Sequence, residues 1–411
     1  MTKLDELIQK LCPNGVEHTC LKKCVTIMRG TRVVKSQLTE TDEYPVFQNC
    51  LTPMGYYEKF NCEEKTTFII VAGAAGDIGY STTKFWAADD CFYFICPQEI
   101  ESRFLYHNLL QQQSFILSKV RRASIPRLPR EVIENLSIPV PPLPVQREIV
   151  RILDNFTELT AELTAELTAR KQQYAYYRDK LLTHSSETKI CKLADVCESI
   201  ADGDHMPPPK ADDGIPFITI SNITEQNKID FSNTMFVPSS YYDALADKRK
   251  PHSGDILYTV VGSYGIPVCI EQDTKFVFQR HIAILRPRSE VIKARYMFHA
   301  MQSGAFKAQA DKAAKGAAQK TIGLSSLAEM TLPVPNMCIQ ERLIRVLDNF
   351  DSICTDLNIG LPAEIEARQK QYEFYRDQLL TFAAQGETIL TDRQTDRQTD
   401  RQTDRQTDRR V

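Results

Sequence analysis

Two blocks of this chain are written twice. "IPVPPLPVQREIVRILDNF" starts at Ile138 and returns as "LPVPNMCIQERLIRVLDNF" from Leu332; "ARKQQYAYYRDKLLT" starts at Ala169 and returns as "ARQKQYEFYRDQLLT" from Ala367. The second copy holds four more residues between its blocks, the length of one unit of the T-A-E-L repeat in "TELTAELTAELTAR" (157–170). A duplication of this kind constrains the fold strongly, because whatever one copy packs against the other must also find. The chain is expected to carry internal pseudo-symmetry.

Ahead of each block lies a region of similar length and weaker similarity. "YPVFQN" (44–49) stands where "IPFITI" (215–220) stands, and "FIIVAGAAGDIGY" (68–80) corresponds to "ILYTVVGSYGIPV" (256–268). "SKVRRASIPRL" (118–128) corresponds roughly to "KGAAQKTIGLSSL" (315–327), with "RRAS" set against "AQKT". Short apolar runs at 68–72, 92–95, 217–220, 256–261 and 282–285, bounded by Gly and Pro, read as strands of compact α/β domains. The expected order is an α/β domain over 1–139, a helical spacer over 140–185, a second α/β domain over 186–333, a second spacer over 334–384, and a low-complexity tail over 385–411.

The repeated blocks read as long helices. Ile149, Ile152, Leu153, Phe156, Leu159, Leu163, Leu167, Tyr174, Tyr177 and Leu181 recur at steps of three and four, the seam of a coiled coil. A four-residue period stacks Leu159, Leu163 and Leu167 along one helix face. A helix is expected over 146–182, preceded by a hinge at "IPVPPLP". In the second copy Gly360 and Pro362 predict the end of one helix and the start of another.

The equipment of an enzyme is missing from the motifs. There is no Gly-Lys pair and so no P-loop, no G-x-G dinucleotide loop, no G-x-S-x-G and no amine-methylation motif. "GAAGDIG" (73–79) and "GSYG" (262–265) read as tight loops between strands. The twelve cysteines are scattered, and Cys12, His18, Cys20 and Cys24 are better read as reduced thiols with a neighbour than as a metal site. "DGDHMPPPK" (202–210) reads as a surface loop. The start, "MTKLDELIQKLCPNGVEH", is amphipathic and lacks a secretory apolar core, which with the absence of long apolar runs predicts a cytoplasmic chain. The net charge of −3 does not mark a nucleic-acid binder, but phosphate contact needs a local basic face, not a basic total. Such faces exist: "KVRRASIPRLPR" (119–130) holds five basic residues and no acid, and its counterpart holds Lys307, Lys312, Lys315, Gln319 and Lys320 against Asp311 alone. Their occurrence at equivalent points of both halves favours phosphate or base contact over a solvated face.

With its doubled "PxPxxxxQ…LDNF" and "QYxxYRDxLL" blocks, its "GAAQKTIGLSSL" stretch and its tandem T-A-E-L units, the chain resembles the specificity subunits of Type I restriction-modification enzymes over nearly its whole length, up to about 384. The resemblance implies an α+β fold: two target-recognition domains separated by two long helical regions packed as an antiparallel coiled coil. It implies that each domain reads one half of a bipartite, asymmetric site in double-stranded DNA. It also implies docking to two methyltransferase subunits and two restriction/motor subunits, which use S-adenosylmethionine, ATP and Mg; this chain then binds no cofactor or metal and holds no catalytic residue. Carried over by position, DNA contact falls on Gly73, Gly76, Lys119, Arg121 and Arg122 in the first domain. In the second it falls on Gly262, Ser263, Tyr264, Gly265, Lys315, Gln319, Lys320 and Thr321. Spacer and subunit-docking roles fall on Leu159, Leu163, Leu167, Tyr174, Tyr177, Tyr372 and Tyr375. The rival classes are a catalytic DNA methyltransferase, which purified chain methylating alone would establish, and a stand-alone DNA-binding or coiled-coil scaffold protein.

The two tetrapeptide repeats make different predictions. Four residues lengthen a helix by about 6 Å and turn it about 40° past a full turn. One base pair advances about 3.4 Å and turns about 34–36°. Duplicating 160–163 should therefore keep both half-site sequences and lengthen the unread spacer by one base pair; methylation mapping of that variant reads this directly, and an unchanged spacer makes the repeat mere helix filler. The tail "TDRQTDRQ…" (391–410) is neutral per unit and has nothing to bury, so it is expected to be disordered. Its residues can be encoded by ACAG repeated three times, which predicts a tetranucleotide tract whose slippage switches the C-terminus. Mixed codons in the gene, breaking the ACAG register, end that idea.

Overall fold

The structure, a computed structural model, describes residues 2–381 except 42, 123, 184–187, 204–207, 225, 317–318 and 356–359. The tail and the middle of the "DGDHMPPPK" stretch lie outside the described residues. The chain divides into two units, Met1–Glu162 with Ile365–Val411, and Leu163–Glu364.

Each unit repeats three sheets with the same connectivity. A four-stranded antiparallel sheet orders Thr26–Arg29, Cys91–Ile95, Thr66–Ile70 and Ile78–Ser81 in the first unit. Its counterpart orders Cys197–Asp202, Ile282–Pro287, Ile256–Thr259 and Pro267–Cys269. A mixed three-stranded sheet follows, Tyr56–Tyr57, Tyr44–Phe47 and Trp86–Ala87 against Met235–Val237, Ile215–Ile218 and Val277–Phe278. A two-stranded ribbon then ties the start of each domain to its end: His18–Cys20 with Ser137–Pro139, and Lys189–Lys192 with Thr331–Val334. All five expected strands are present. The two inner strands read as continuous apolar runs because both faces are covered. Ile69 faces one core cluster while Phe68 and Ile70 face another, and in the second unit Ile256 and Tyr258 face one cluster and Leu257 the other.

The first repeated block forms a single helix, Leu143–Leu182, three residues longer at its start than expected. Pro144 is tolerated there because the N–H groups of a helix's first turn have no partner within the helix. The expected hinge is a strand instead: Ile138 and Pro139 belong to the ribbon, and the Val140 amide donates to the Glu17 carbonyl. Within the T-A-E-L stretch the Thr160 hydroxyl donates to the Phe156 carbonyl and Thr168 to Thr164, so the repeated threonines satisfy themselves on the helix backbone. The second block is two helices, Met337–Thr355 and Leu361–Thr381, broken where Gly360 and Pro362 predict.

The helix pairs do not join each copy to itself. In the first unit Phe156 of the first "LDNF" stacks on Tyr375 of the second "QYxxYRD", centroids 5.2 Å apart. In the second unit Phe350 of the second "LDNF" stacks on Tyr174 and Tyr177 of the first, at 6.3 and 6.0 Å. There Arg170 and Lys171 lie beside Cys354 as Tyr174 lies beside Phe350, so the pair runs antiparallel.

Beneath each stack a buried histidine bolts three segments together. His107 sits four residues after Arg103 on the helix Ser102–Gln111, and both reach one Asp154 oxygen: the His107 Nε2 at 2.9 Å and the Arg103 Nε at 2.8 Å. The other ring nitrogen lies 3.0 Å from the Tyr372 hydroxyl. The second unit repeats the set on the helix Ala294–Met301. His299 Nε2 and Arg295 Nε lie 2.7 and 2.6 Å from Asp348, and His299 Nδ1 lies 3.0 Å from the Tyr174 hydroxyl. A carboxylate only accepts, so Nε2 carries the ring proton and Nδ1 accepts from the phenol. Neither histidine has any exposed surface. Burial pushes both imidazole pKa values down, against the pull of their aspartates. Burial also works to raise Asp154 and Asp348, but the hydrogen bonds from histidine and arginine outweigh it and leave both carboxyls below the ordinary range.

A buried glutamine completes each junction. The Gln146 amide donates to the carbonyls of Glu99 and Pro141 and accepts from the Glu101 N–H; Gln340 does the same with Val291, Pro335 and Lys293. The repeated "PxPxxxxQ", "LDNF" and "QYxxYRD" motifs thus encode one junction twice.

Because the buried imidazoles are held neutral, their contribution to stability is complete above the unfolded value near 6.5 and is lost as pH falls from there towards the depressed folded value. Replacing His107 by Leu strands the Tyr372 hydroxyl and removes a donor from Asp154; it should cost about 1–3 kcal/mol. Denaturant titrations at pH 8 and pH 5.5 should show lower stability at pH 8 and a smaller loss on acidification than in the parent. Unchanged stability at pH 8 would show that the junction does not hold the unit together.

Candidate nucleic-acid interface

The inner strand of each four-stranded sheet ends in a Gly-x-x-Gly turn, Gly73–Ala–Ala–Gly76 and Gly262–Ser–Tyr–Gly265. All four glycines have positive φ: 85° and 99° in the first turn, 71° and 93° in the second. The closing bond is also the same, from the Gly76 amide to the Ile70 carbonyl and from the Gly265 amide to the Thr259 carbonyl. Gly76 is buried, and its φ of 99° strains any other L residue there; a Cβ would also displace the end of the Leu117 side chain, 2.7 Å away. The first turn shows only Ala side chains, whereas the second carries an exposed Ser263 and a half-buried Tyr264, whose hydroxyl donates to Asp311 at 2.9 Å.

The basic segments expected to matter lie against these turns. In the first unit the Gly73 amide donates to Pro126 and the Leu128 amide to Val71; in the second the Gly262 amide donates to Lys320 and the Ile322 amide to Val260. Each segment folds back on itself, Arg121 bridging Arg127 and Lys315 bridging Thr321. These bridges correct the register read from sequence: Arg121 matches Lys315 and Arg127 matches Thr321, so the place of Gln319 is taken by Ile125, not by a residue of "RRAS". The backbone pairing sets this register, and side-chain similarity is too weak there to show it.

Lys119, Arg121, Arg122 and Arg127 are exposed in the first unit, as are Lys315, Gln319, Lys320 and Thr321 in the second. Lys119 lies over the Phe115 ring at 5.0 Å. Arg130, the fifth basic residue of its segment, is structural: it bonds Glu134 and the Ile27 carbonyl.

Of the residues assigned to spacer and docking, Tyr174 and Tyr372 are buried in the histidine junctions, not turned outward. Tyr177 is 39% exposed, Tyr375 is half-buried under Phe156, Leu159 is exposed, and Leu163 and Leu167 are half-buried. The outward aromatics are their neighbours Tyr176 and Phe374, 61% and 57% exposed at equivalent places in the two copies. Helical spacing distinguishes faces, but only the partner helices show which face is filled. Among the described residues no three His, Cys, Asp or Glu side chains gather as a metal site, and no helix is long and apolar enough to cross a membrane.

Residues 13–170 and 185–367 match the Type I restriction modification DNA specificity domain. The chain is 29% identical over 402 residues to a putative type I restriction enzyme specificity subunit of Haemophilus influenzae, covering 93% of this chain and 99% of that protein. It is 34% identical over 286 residues to a type I restriction enzyme specificity subunit of Escherichia coli, covering 62% of this chain and 66% of that one. In fold it is similar to the crystal structure of a Type I restriction-modification S subunit from M. genitalium, with a TM-score of 0.55 and 17% identity over 89% of this chain and 97% of that one. A chain from a structure of type I complex assembly and conformational transition matches with a TM-score of 0.56 and 15% identity, over 90% and 98%.

Proposed function

The chain belongs to the Type I restriction modification DNA specificity family, and from that premise we propose that it is the sequence-reading subunit of a Type I restriction-modification enzyme. Each unit reads one half of a bipartite site in double-stranded DNA. The observation that carries this reading is the meeting, in both units and in the same register, of a Gly-x-x-Gly turn with an exposed basic segment. Tight glycine turns let the backbone approach a groove closely. Lys and Arg beside them neutralise phosphates, and side chains at the same rim reach base edges. In this role Lys119, Arg121, Arg122, Lys315 and Lys320 hold the DNA, while Ser263, Tyr264, Gln319 and Thr321 are placed to read it.

The reaction belongs to the partners. Two methyltransferase subunits supply S-adenosylmethionine and two restriction/motor subunits use ATP and Mg, all in the cytoplasm; this chain binds DNA and contributes no catalytic group. Tyr176 and Phe374, outward at equivalent positions, are the natural contacts for two copies of one partner, with Leu159, Leu163, Leu167, Tyr177 and Tyr375 around them.

Exchange of residues 1–139 for the first domain of another family member tests the reading. Methylation mapping in cells carrying the hybrid and its methyltransferase should show one half-site changed and the other kept. Both halves changing together contradicts one unit per half-site, and methylation by the purified chain alone would make it an enzyme.

A further inference from the structure

A third segment meets each candidate interface, and its backbone is the same in both units. In the first unit it is Ala88–Asp89–Asp90. The Val71 amide donates to the Asp90 carbonyl, Cys91 to Ala88, Ala88 to Phe47 and Gly30 to Cys91. In the second unit it is Gln279–Arg280–His281. There Val260 donates to His281, Ile282 to Gln279, Gln279 to Ile218 and Gly203 to Ile282. Gly30 and Gly203 are required by this corner in the same way: a Cβ would lie 2.4 and 2.2 Å from the Ala87 and Ala88 carbonyl oxygens in one, and 2.1 and 2.7 Å from those of Phe278 and Gln279 in the other. Four matching hydrogen bonds and two matching close approaches make the tripeptides equivalent although their residues have nothing in common.

The tripeptide is therefore a fixed frame with exchangeable side chains, bonded directly to the strand that leads into the Gly-x-x-Gly turn. The two side-chain sets have opposite hydrogen-bonding character. Arg280 is exposed, with no hydrogen bond or ion pair among the described residues, while its neighbours Gln279 and His281 bond each other. Three other arginines of the unit are engaged: Arg286 with Asp255 and Asp247, Arg288 with the Cys197 carbonyl, Arg295 with Asp348 and Asp351. In the first unit the frame carries two half-buried carboxylates, Asp89 and Asp90. A guanidinium only donates and fits the O6 and N7 acceptors of guanine; a carboxylate only accepts and fits an amino group, N4 of cytosine above all.

We infer that this corner is a specificity-determining position in each unit, with Arg280 contacting a guanine in one half-site and Asp89 or Asp90 an amino-bearing base in the other. The inference rests on the DNA-reading function proposed above and deepens it. It explains how one frame, used twice, reads two unlike half-sites.

The test uses the chain assembled with its methyltransferase partner and a panel of duplexes in which each base pair of its mapped target is replaced in turn, at one salt concentration. The parent complex should lose roughly 5- to 150-fold in affinity when one particular G·C pair is replaced. Arg280→Ala should bind duplexes with and without that pair alike, with every other position, including the whole first half-site, read as before. Arg280→Lys, which keeps the charge and loses the fork, should also relax that position. Asp89→Ala and Asp90→Ala, checked for an unchanged melting temperature, should relax one position of the other half-site in at least one variant. Arg280→Ala weakening every duplex equally would mark a phosphate contact and overturn the inference, as would an unaltered preference profile. A parent complex with no bipartite preference would instead remove the proposed function itself.

Discussion

The fold depends on a neutral imidazole held between a carboxylate and a phenol that come from different parts of the chain. Asp154, His107 and Tyr372 make this contact in the first unit, and Asp348, His299 and Tyr174 in the second. Buried polar groups are stable only when every donor and acceptor is matched. Here the neutral ring has one proton to give and one lone pair to fill, and both are used. Remove the histidine and the tyrosine hydroxyl is left buried without its acceptor, while the partly exposed aspartate keeps only its arginine.

Since each tyrosine comes from the other copy, the duplication is folded crosswise. The first "LDNF" is closed by the second "QYxxYRD", and the second by the first. Neither half of the sequence contains a complete unit: the first needs 365–381, and the second needs the end of the helix Leu143–Leu182. The T-A-E-L repeat occupies the part of that helix where the division between units falls, after Glu162.

The candidate interface follows a complementary principle. Backbone bonds, glycine φ angles and close approaches are shared between the units, and side chains at the rim differ. Ala74 and Ala75 of the first unit correspond to Ser263 and Tyr264 of the second, and Asp89 and Asp90 to Arg280 and His281. Hydrogen bonds through the main chain are indifferent to side-chain identity, so the frame can be kept while the chemistry it presents is rewritten.

The sequence by itself determined the duplication, the helical character of the repeated blocks, the break at Gly360 and Pro362 and the five apolar strands. All of these rest on local periodicity or on direct likeness between copies, which the sequence displays in order. Tertiary structure alone decided which aromatic faces inward. Tyr174 and Tyr176 are indistinguishable as residues, and the packing of His299 and Phe350 against Tyr174 is what buries one of them. It also decided that Ile138–Pro139 is a strand and that Arg121 matches Lys315. The Asp89–Arg280 correspondence was invisible for the same reason: it is carried by backbone hydrogen bonds from Val71 and Val260, donors that every residue but proline possesses and no side chain announces.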